Sequence, residues 1–317
     1  TGNVSALDRM DRHLGQATEW AVAAHHRRRL ARLGHSGSYN PPQDGSMWCA
    51  GGPPPRDGCS LEVLIDGAQA LPRIAEAIEG ARSYVHIAGW HVTPGFGLTR
   101  DATARPLREL LGSVAERADV RVLLWAGAPV PLFKPTRAQV RSARDELVRG
   151  TRIRCALDAR ERPMHCHHEK LAIVDGEIAF VGGIDLSLLG GNRRDDPGHP
   201  ARGELGWHDA ASQIEGPAVA DVASHFAMRW AEVTGEELAG AAPGERGGVE
   251  LQVVRTVPNG VYDRAPRGDF TILESYVRAL RSAQRLVYLE NQFLWSPEIV
   301  AILADKLGRP PRPDFRL

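Results

Sequence analysis

The sequence predicts an α/β fold built around a mixed, largely parallel sheet that is flanked by helices. Short apolar runs alternate with amphipathic stretches from residue 61 onward, a pattern typical of strands that alternate with helices. Two segments, residues 77–90 and 279–292, align without a gap and indicate an internal repeat. The chain has 317 residues, of which 43% are hydrophobic and 25% are charged, so it can bury a substantial core.

Before this alternation, the sequence predicts a helix over residues 8–33 and a surface loop over residues 34–58. Leu14 and Trp20 belong to a rough apolar stripe along the helix, and the loop is rich in Gly, Pro and Ser. The basic run at residues 25–29 could rest on a membrane surface, although a solvated helix end is the commoner explanation.

The alternating region has a regular order of elements. The predicted strands are residues 61–65, 84–90, 120–125 and 152–156. The predicted helices are residues 71–81, 107–117, 136–150 and 219–233. A loop rich in Asp, Arg, Gly and Pro is predicted over residues 190–203.

The repeat determines the predicted domain organisation. Residues 107–125 also correspond to residues 299–317, each as a helix followed by the onset of a strand. We therefore expect an N-terminal helix and loop at residues 1–59, a first α/β half at residues 60–248 and an incomplete second half at residues 249–317.

One stretch carries the chemistry. It contains His168-Glu169-Lys170, then Asp175-Gly176 and then Gly182-Gly183-Ile184-Asp185. Alternate residues of a strand point to the same face, so His168 and Lys170 would project together while His167 faces away. The Asp-Gly pair between two apolar runs predicts a hairpin. A Lys charge, an imidazole and glycines that allow close approach to the backbone together suit a phosphate group.

These residues resemble the phospholipase D superfamily, the HKD enzymes, and the resemblance covers most of the chain. It is carried by segments in the family's order: residues 61–67, 81–90, 168–185, 207–209, 214–218, 226–230 and 288–292. It implies a phospholipase D-like α/β sandwich with a pseudo-twofold repeat, in which each half supplies one His-x-Lys motif to a shared site. Among the 12 histidines, His168 alone has a Lys two residues further on, so the chain holds the first motif only.

The resemblance implies cleavage of a phosphodiester through a phosphohistidine intermediate, with hydrolysis and transfer to an alcohol in competition. His168 is the implied nucleophile. Lys170, Gly183 and Asp185 would contact the phosphoryl group. Asp185 stands where the family usually has Asn, and a carboxylate facing an anion is repulsive unless it is protonated or bonded to donors. Asp175 is expected to support the turn.

Three further residues complete the predicted site. Asp209 resembles the family carboxylate that orients the His of the opposite half; a surface Asp in a turn is the alternative. Glu290 and Asn291 end the predicted second-copy strand, where sheets of this kind usually place their sites, and are expected to line the pocket. The chemistry needs no metal and no cofactor, because Lys and imidazolium supply the positive charge.

Several functions stay open. Lys plus Arg and Asp plus Glu both number 39, and this neutrality weighs against a nuclease and against a nucleic acid partner. A cardiolipin synthase-like phosphatidyltransferase is the nearest alternative to a phospholipase D, and a non-catalytic binding module is the candidate from another class. The expected substrate is a phospholipid or another phosphodiester at a membrane surface.

The incomplete second half predicts a further partner. We expect activity only when a second polypeptide supplies the other His-x-Lys motif. A symmetric homodimer is disfavoured, because residues 249–317 already begin a second copy and would leave apolar strand edges open.

Neither a membrane-spanning run nor a signal-peptide core is present in the sequence. A cytoplasmic or membrane-peripheral location is therefore favoured, and a secreted chain whose leader was removed is the alternative. Cys49 and Cys59 bracket a Gly/Pro-rich loop and could form a small disulfide or remain two free thiols.

Overall fold

The computed structural model describes residues 6–100, 104–130, 132–162, 165–188 and 208–317. The chain divides into two compact units. The sheet unit comprises Pro55–Val253 and Tyr262–Arg264, and the helical unit comprises Thr1–Pro54, Val254–Val261 and Ala265–Leu317. The predicted domain boundaries near residues 60 and 249 stay predictions.

The elements follow one another along the chain. They are α1 (Ala6–Arg32), α2 (Ser36–Tyr39), β1 (Arg56–Ile65), α3 (Asp66–Glu79), β2 (Tyr84–Gly89), α4 (Leu107–Ala115), β3 (Asp119–Trp125), α5 (Arg137–Val148), β4 (Arg154–Asp158), β5 (Leu171–Val174), β6 (Ile178–Gly182), β7 (Ala210–Glu215), α6 (Val219–Thr234), β8 (Val249–Leu251), β9 (Thr256–Val257), β10 (Asp269–Phe270), α7 (Thr271–Ser282) and α8 (Pro297–Gly308). The predicted loop at residues 190–203 lies outside the described residues. The predicted helices and strands up to β4 are all found, with shifted ends.

The sheet unit is organised around one sheet in the order β4-β3-β2-β5-β6-β7-β1-β8. Among the described residues, β2–β3 and β3–β4 pair in parallel, and the five other neighbouring pairs are antiparallel. The predicted α/β class with a mixed sheet is confirmed, but parallel pairing is less extensive than the strand–helix alternation suggests. The reason is that β5 and β6 form a tight hairpin, and a short turn joins only antiparallel strands.

Helices cover both faces of the central strands. Ala172 and Val174 of β5 pack with α3, α4 and α5 in one apolar core, while Leu171 and Ile173 pack against α6 in a second core. Successive strand residues point to opposite faces, so a strand that is covered on both sides has to be apolar throughout. Because β5 runs antiparallel to β2, the residues just before β5 emerge at the carboxyl end of β2.

The helical unit repeats part of this order in a shorter form. After α7 comes an extended segment, then α8, and Leu286 forms a parallel bridge with Arg316. A parallel pair also joins β2 to β3, which follow α3 and α4 in the same way. The strand predicted at residues 286–292 is reduced to this bridge, because a strand needs a ladder of hydrogen-bonded neighbours. The internal repeat stays a prediction.

Helix α1 confirms the predicted N-terminal helix. Leu14 and Trp20 on this helix are both exposed. Within the ranges given above, neither α1 nor any other helix combines the length and the apolar character needed to cross a membrane.

Cys49 and Cys59, for which the sequence allows either a disulfide or two thiols, are present as two thiols. Cys49 lies in the helical unit, where its thiol donates to the carbonyl oxygen of Thr271 at 3.3 Å. Cys59 lies in the sheet unit, where its thiol donates to the carbonyl oxygen of Arg56 at 3.4 Å.

Candidate active site

The motif segment, residues 165–170, lies in irregular backbone at the carboxyl end of β2, whereas the sequence predicts a strand there. Strand pairing with both β2 and β6 begins only at Leu171, which explains the difference. One further backbone bond, from the amide of Gly182 to the carbonyl of Lys170 at 3.2 Å, extends the hairpin past its last paired residue. Within the described residues, backbone hydrogen bonds thus attach the motif segment to the sheet at its Lys170 end.

The predicted alternation of side chains holds in this segment even without a strand. His168 and Lys170 both lie against Trp90. His167 turns to the other side, where its Nε2 lies 3.5 Å from a carboxylate oxygen of Asp158. The segment therefore has an outer face, formed by His168 and Lys170, and an inner face on the side of helix α6.

Trp90 connects the two outer-face residues. The imidazole of His168 meets the indole ring edge-on, with ring centroids 5.7 Å apart, and Lys170 Nζ lies over the same ring at 5.8 Å. Trp90 in turn stacks on Trp125 at 6.4 Å. Sequence reasoning missed this contact; the signal was an aromatic residue directly after a buried strand, at the sheet end where sites of this class lie.

Lys170 forms a buried ion pair with Asp185, at 2.9 Å between Nζ and Oδ2. Burial raises the pKa of Asp185, and the charge of Lys170 and the nearby backbone amides of His91 and Trp90 oppose that rise. The carboxylate expected to repel a phosphate is thus already paired with the lysine expected to bind one. Direct contact of Asp185 with a phosphoryl group stays a prediction.

His168 is the exposed member of the outer face. Partial desolvation, followed by the positive charge of Lys170, lowers the pKa of His168 to about 4. A neutral imidazole at physiological pH keeps one ring nitrogen lone pair available for attack. Partial desolvation, with the neighbouring lysine as the smaller cause, thus favours the form of this histidine that a nucleophile requires.

A small cavity of about 30 Å³ lies behind this ion pair. Its polar lining comes from Lys170, Asp185 and His91, and the rest is mainly apolar. His91 Nδ1 lies 2.7 Å from the hydroxyl oxygen of Ser187, and burial lowers the pKa of His91 to about 4. The cavity has room for about one or two water molecules. A phosphodiester would therefore have to approach from the exposed side of His168.

Asp175 lies at the opposite end of β5 from His168, about 17 Å along the strand from Lys170 at the usual rise per residue. It and Gly176 adopt left-handed φ angles of 54° and 70°, which form the predicted hairpin turn. The Asp175 carboxylate accepts bonds at 2.9, 2.7 and 2.9 Å from the backbone amides of Arg82, Ser83 and Tyr84. The geometry supports a structural role for Asp175 away from the reacting atoms.

The glycine pair makes room for the chain itself. A Cβ atom on Gly182 would overlap the carbonyl oxygen of Ala210, and one on Gly183 would overlap the carboxylate of Asp209. That carboxylate accepts a bond from the amide of Ala210 at 2.8 Å. The proposed orientation of a second histidine by Asp209, and phosphate contact at Gly183, stay predictions. Trp207 lies outside the described residues.

The inner face carries a buried ion cluster that sequence reasoning missed. Its centre is Arg229 of α6, which is 2% exposed. Arg229 donates to the carboxylate of Asp158 from Nη2 at 2.7 Å and from Nε at 3.2 Å, and to the carboxylate of Glu169 from Nη1. Burial opposes ionisation, yet the positive groups around Glu169, with Arg229 foremost, hold its pKa well below the usual range.

Three more side chains complete this cluster. His225 Nε2 donates to Glu169 at 2.7 Å, His167 Nε2 faces Asp158, and the hydroxyl of Tyr262 donates to Asp158. Across the described part of the chain, no set of three or more His, Cys, Asp or Glu side chains is arranged to hold a metal ion. We define the ion cluster as Asp158, His167, Glu169, His225, Arg229 and Tyr262.

Glu290 and Asn291 lie in the helical unit and are exposed. The hydroxyl of Tyr288 donates to Glu290 at 2.9 Å, and Asn291 accepts from the amide of Phe293 at 3.5 Å. His168 belongs to the sheet unit, so the three residues do not share one unit. Their predicted place in the pocket stays a prediction.

Comparison with known proteins shows which proteins this chain resembles. No protein-family model matches the chain. Phospholipase D alpha 3 of Arabidopsis thaliana is 26% identical over 330 residues, and phospholipase D A of Dictyostelium discoideum is 26% identical over 285 residues. These alignments cover 73% and 75% of this chain. The chain is thus similar to phospholipases D over about three quarters of its length.

The alignments cover 40% and 22% of the two relatives, so the chain spans less than half of the length of each. Among solved structures, Nuc, a phospholipase D family member from Salmonella typhimurium, and NucT from Helicobacter pylori are similar at 14% and 15% identity. They cover 54% and 53% of this chain and 94% and 93% of their own, with TM-scores of 0.38 and 0.37. At such scores the likeness bears on neither substrate nor site.

Proposed function

We propose that this chain contributes the nucleophilic half of a phospholipase D-type phosphodiesterase that hydrolyses a phospholipid headgroup bond. The observation that carries the proposal is the outer face of the motif segment. There an exposed His168 with a lowered pKa lies beside Lys170 on a common aromatic support. The names of the relatives, which are phospholipases D, support the substrate class.

The reaction would proceed in two displacements. A ring nitrogen of His168 attacks the phosphorus, the bond from phosphorus to the headgroup oxygen breaks, and the departing alcohol takes a proton from a second acid. Water then loses a proton to the same group and attacks the phosphorus, which breaks the phosphorus–nitrogen bond and restores His168. An acceptor alcohol in place of water would give transfer of the phosphatidyl group.

Lys170 would stabilise the negative charge that develops on the phosphoryl oxygens. Its partner Asp185 holds the ammonium in place from the buried side, at 2.9 Å, and makes no demand on His168. A fixed charge of this kind favours the transition state more than a mobile one, since it needs no reorganisation during the reaction. This chemistry can proceed on the charges of lysine and imidazolium.

The second acid is not assigned to a residue of this chain, because among its 12 histidines only His168 precedes a lysine by two positions. We propose that a second polypeptide segment with its own His-x-Lys supplies it. The chain alone should then show no turnover, and addition of that segment should restore it. Turnover by residues 1–317 as a single species would contradict this part of the proposal, and intact mass of the unfolded sample would establish that only one species is present.

The proposal is tested by headgroup release from phosphatidylcholine and phosphatidylethanolamine vesicles by the complete enzyme. Cardiolipin formation from phosphatidylglycerol is measured in parallel and would indicate a phosphatidyltransferase instead. His168→Ala should abolish turnover, and the neighbouring exposed His165→Ala, as matched control, should keep most of it. Cleavage of DNA in place of lipid would favour a nuclease, and no turnover of any phosphodiester would favour a binding module.

A further inference from the structure

The motif segment has two faces, and among the described residues its backbone bonds to the sheet only at the Lys170 end. Strand pairing begins at Leu171, after the residues that would perform the chemistry. Irregular backbone of this kind does not by itself fix where His168 and Lys170 point. Misplacement of a reacting group by about 1 Å can cost roughly 100-fold in rate, so the segment needs another source of rigidity.

Glu169 is placed to provide that rigidity. It lies between His168 and Lys170 in the sequence, and its side chain enters the inner face, where Arg229 and His225 bind both of its carboxylate oxygens. Arg229 and His225 are four residues apart on α6, so they share one face of a rigid helix. With this side chain held, the residues on either side are directed outward against Trp90.

Arg229 also connects the motif segment to strand β4. Its other nitrogens donate to Asp158 at the end of β4, which also receives the hydroxyl of Tyr262. One guanidinium therefore links α6, β4 and the motif segment. Its planar fork of donors suits this arrangement, which a lysine could not reproduce.

Stability alone does not account for so many buried charges. Replacing a buried ion pair with apolar residues of similar volume is often neutral or stabilising, because desolvation offsets much of the attraction. The geometry of the cluster instead determines the orientation of the motif segment. We propose that Arg229 and Glu169 are positioning residues, which hold His168 and Lys170 against Trp90 in the geometry for attack; the proposal rests on the function proposed above for His168.

The test compares Glu169→Gln and Arg229→Lys with Arg121→Lys. Arg121 is a matched control because it is buried in the same unit and bonds two carboxylates, those of Asp119 and Glu236, at 2.6 and 2.7 Å. Its guanidinium packs over Trp230 of α6, and its ion pairs within the described residues are to Asp119 and Glu236 rather than to the motif segment. Glu169→Gln keeps the side-chain shape, so it remains informative if Arg229→Lys fails to fold.

The first measurement is the titration of the His168 imidazole by NMR in the full chain, which needs no turnover. In the unaltered chain it should titrate near pH 4. In Glu169→Gln and Arg229→Lys the midpoint should move upward toward the ordinary value, because the ring gains solvent and moves away from Lys170. Arg121→Lys should leave it in place. An unchanged midpoint in both cluster variants would overturn the proposal, whether or not the enzyme acts on phospholipid.

The second measurement is the kinetics of headgroup release by the complete enzyme. Both cluster variants should lose about 100-fold in kcat with little change in KM, because substrate still binds while attack is misdirected. Arg121→Lys should lose stability without this loss in kcat. A loss of activity that only follows the loss of stability, equal in all three variants, would reduce the cluster to a structural role and overturn the positioning claim.

Discussion

The two faces of the motif segment differ in how their polar groups are satisfied. On the outer face, His168 is exposed and lies against one indole ring, and Lys170 has a single carboxylate partner. On the inner face, the Glu169 carboxylate is bound by His225 and Arg229. Arg229 also binds the carboxylate of Asp158. A reactive group has to keep a lone pair or a donor available for substrate and has to be held in a fixed position. Alternation of side chains along the backbone provides both within four residues.

Removal of the Lys170 charge from the outer face should have the largest effect on turnover. Lys170→Met should lower kcat by about 100- to 1,000-fold, the usual cost of one electrostatic donor to a developing anion. Lys170→Arg should retain part of the activity, since the charge is kept. Steady-state headgroup release measures both variants.

Asp185→Asn is the matched control for that loss. The amide oxygen can still accept from Lys170, and the substitution removes a negative charge near the phosphate, so activity should be largely retained. A loss in Asp185→Asn as large as that in Lys170→Met would show that the carboxylate takes part in the chemistry itself.

Two buried histidines of the sheet unit, His86 and His91, should make stability depend on pH. Burial, with a smaller effect of Arg121, lowers the pKa of His86 to about 4, and burial lowers that of His91 to about 4. The unfolded chain takes up protons at these residues below pH 6.5, whereas the folded protein resists until about pH 4. The unfolding free energy should therefore fall as pH decreases through this window, by about 3 kcal/mol for each histidine.

His86→Phe separates one of these contributions. His86 stacks between Tyr84 and Phe226, with centroids 4.3 and 4.7 Å away, so a phenyl ring can occupy its place. Denaturant unfolding of His86→Phe at several pH values should show a smaller fall in the unfolding free energy between pH 6.5 and 4. Above pH 7 the dependence of the unfolding free energy on pH should be unchanged. The same decline as in the unaltered protein would show that His86 is accessible to protons in the folded state.

The smallest effect is expected where the chain passes close to itself. Gly183→Ala should destabilise the protein by about 1–3 kcal/mol, because the added methyl group overlaps the Asp209 carboxylate. Asp209→Ala should relieve the overlap, so the double variant should be more stable than the sum of the two single changes predicts. Additive losses would mean that another neighbour limits the space at Gly183.

Sequence patterns of short range were sufficient for part of this site. The Asp-Gly turn, the apolar strands on either side of it and the opposite directions of His167 and His168 all follow from neighbouring residues, and the structure shows each of them. The outward pair of His168 and Lys170 was predictable for the same reason.

Other features depend on contacts between distant parts of the chain. Arg229 meets Glu169 across 60 residues and Asp158 across 71, and no local pattern encodes such a meeting. The irregular backbone of the motif segment also escaped prediction, because a strand extends only as far as its neighbours pair with it, and pairing begins at Leu171. The same dependence on neighbours reduces the predicted strand at residues 286–292 to one bridge.

Attack of His168 on phosphorus is tested most directly by trapping the covalent phosphohistidine adduct. The complete enzyme is mixed with phospholipid, quenched within the first turnover at alkaline pH, where phosphohistidine survives, and digested for mass spectrometry. The account predicts a phosphatidyl adduct on the peptide that contains His168, absent from His168→Ala and lost on acid treatment. Steady turnover with no adduct on His168, or an adduct on another residue, would contradict it.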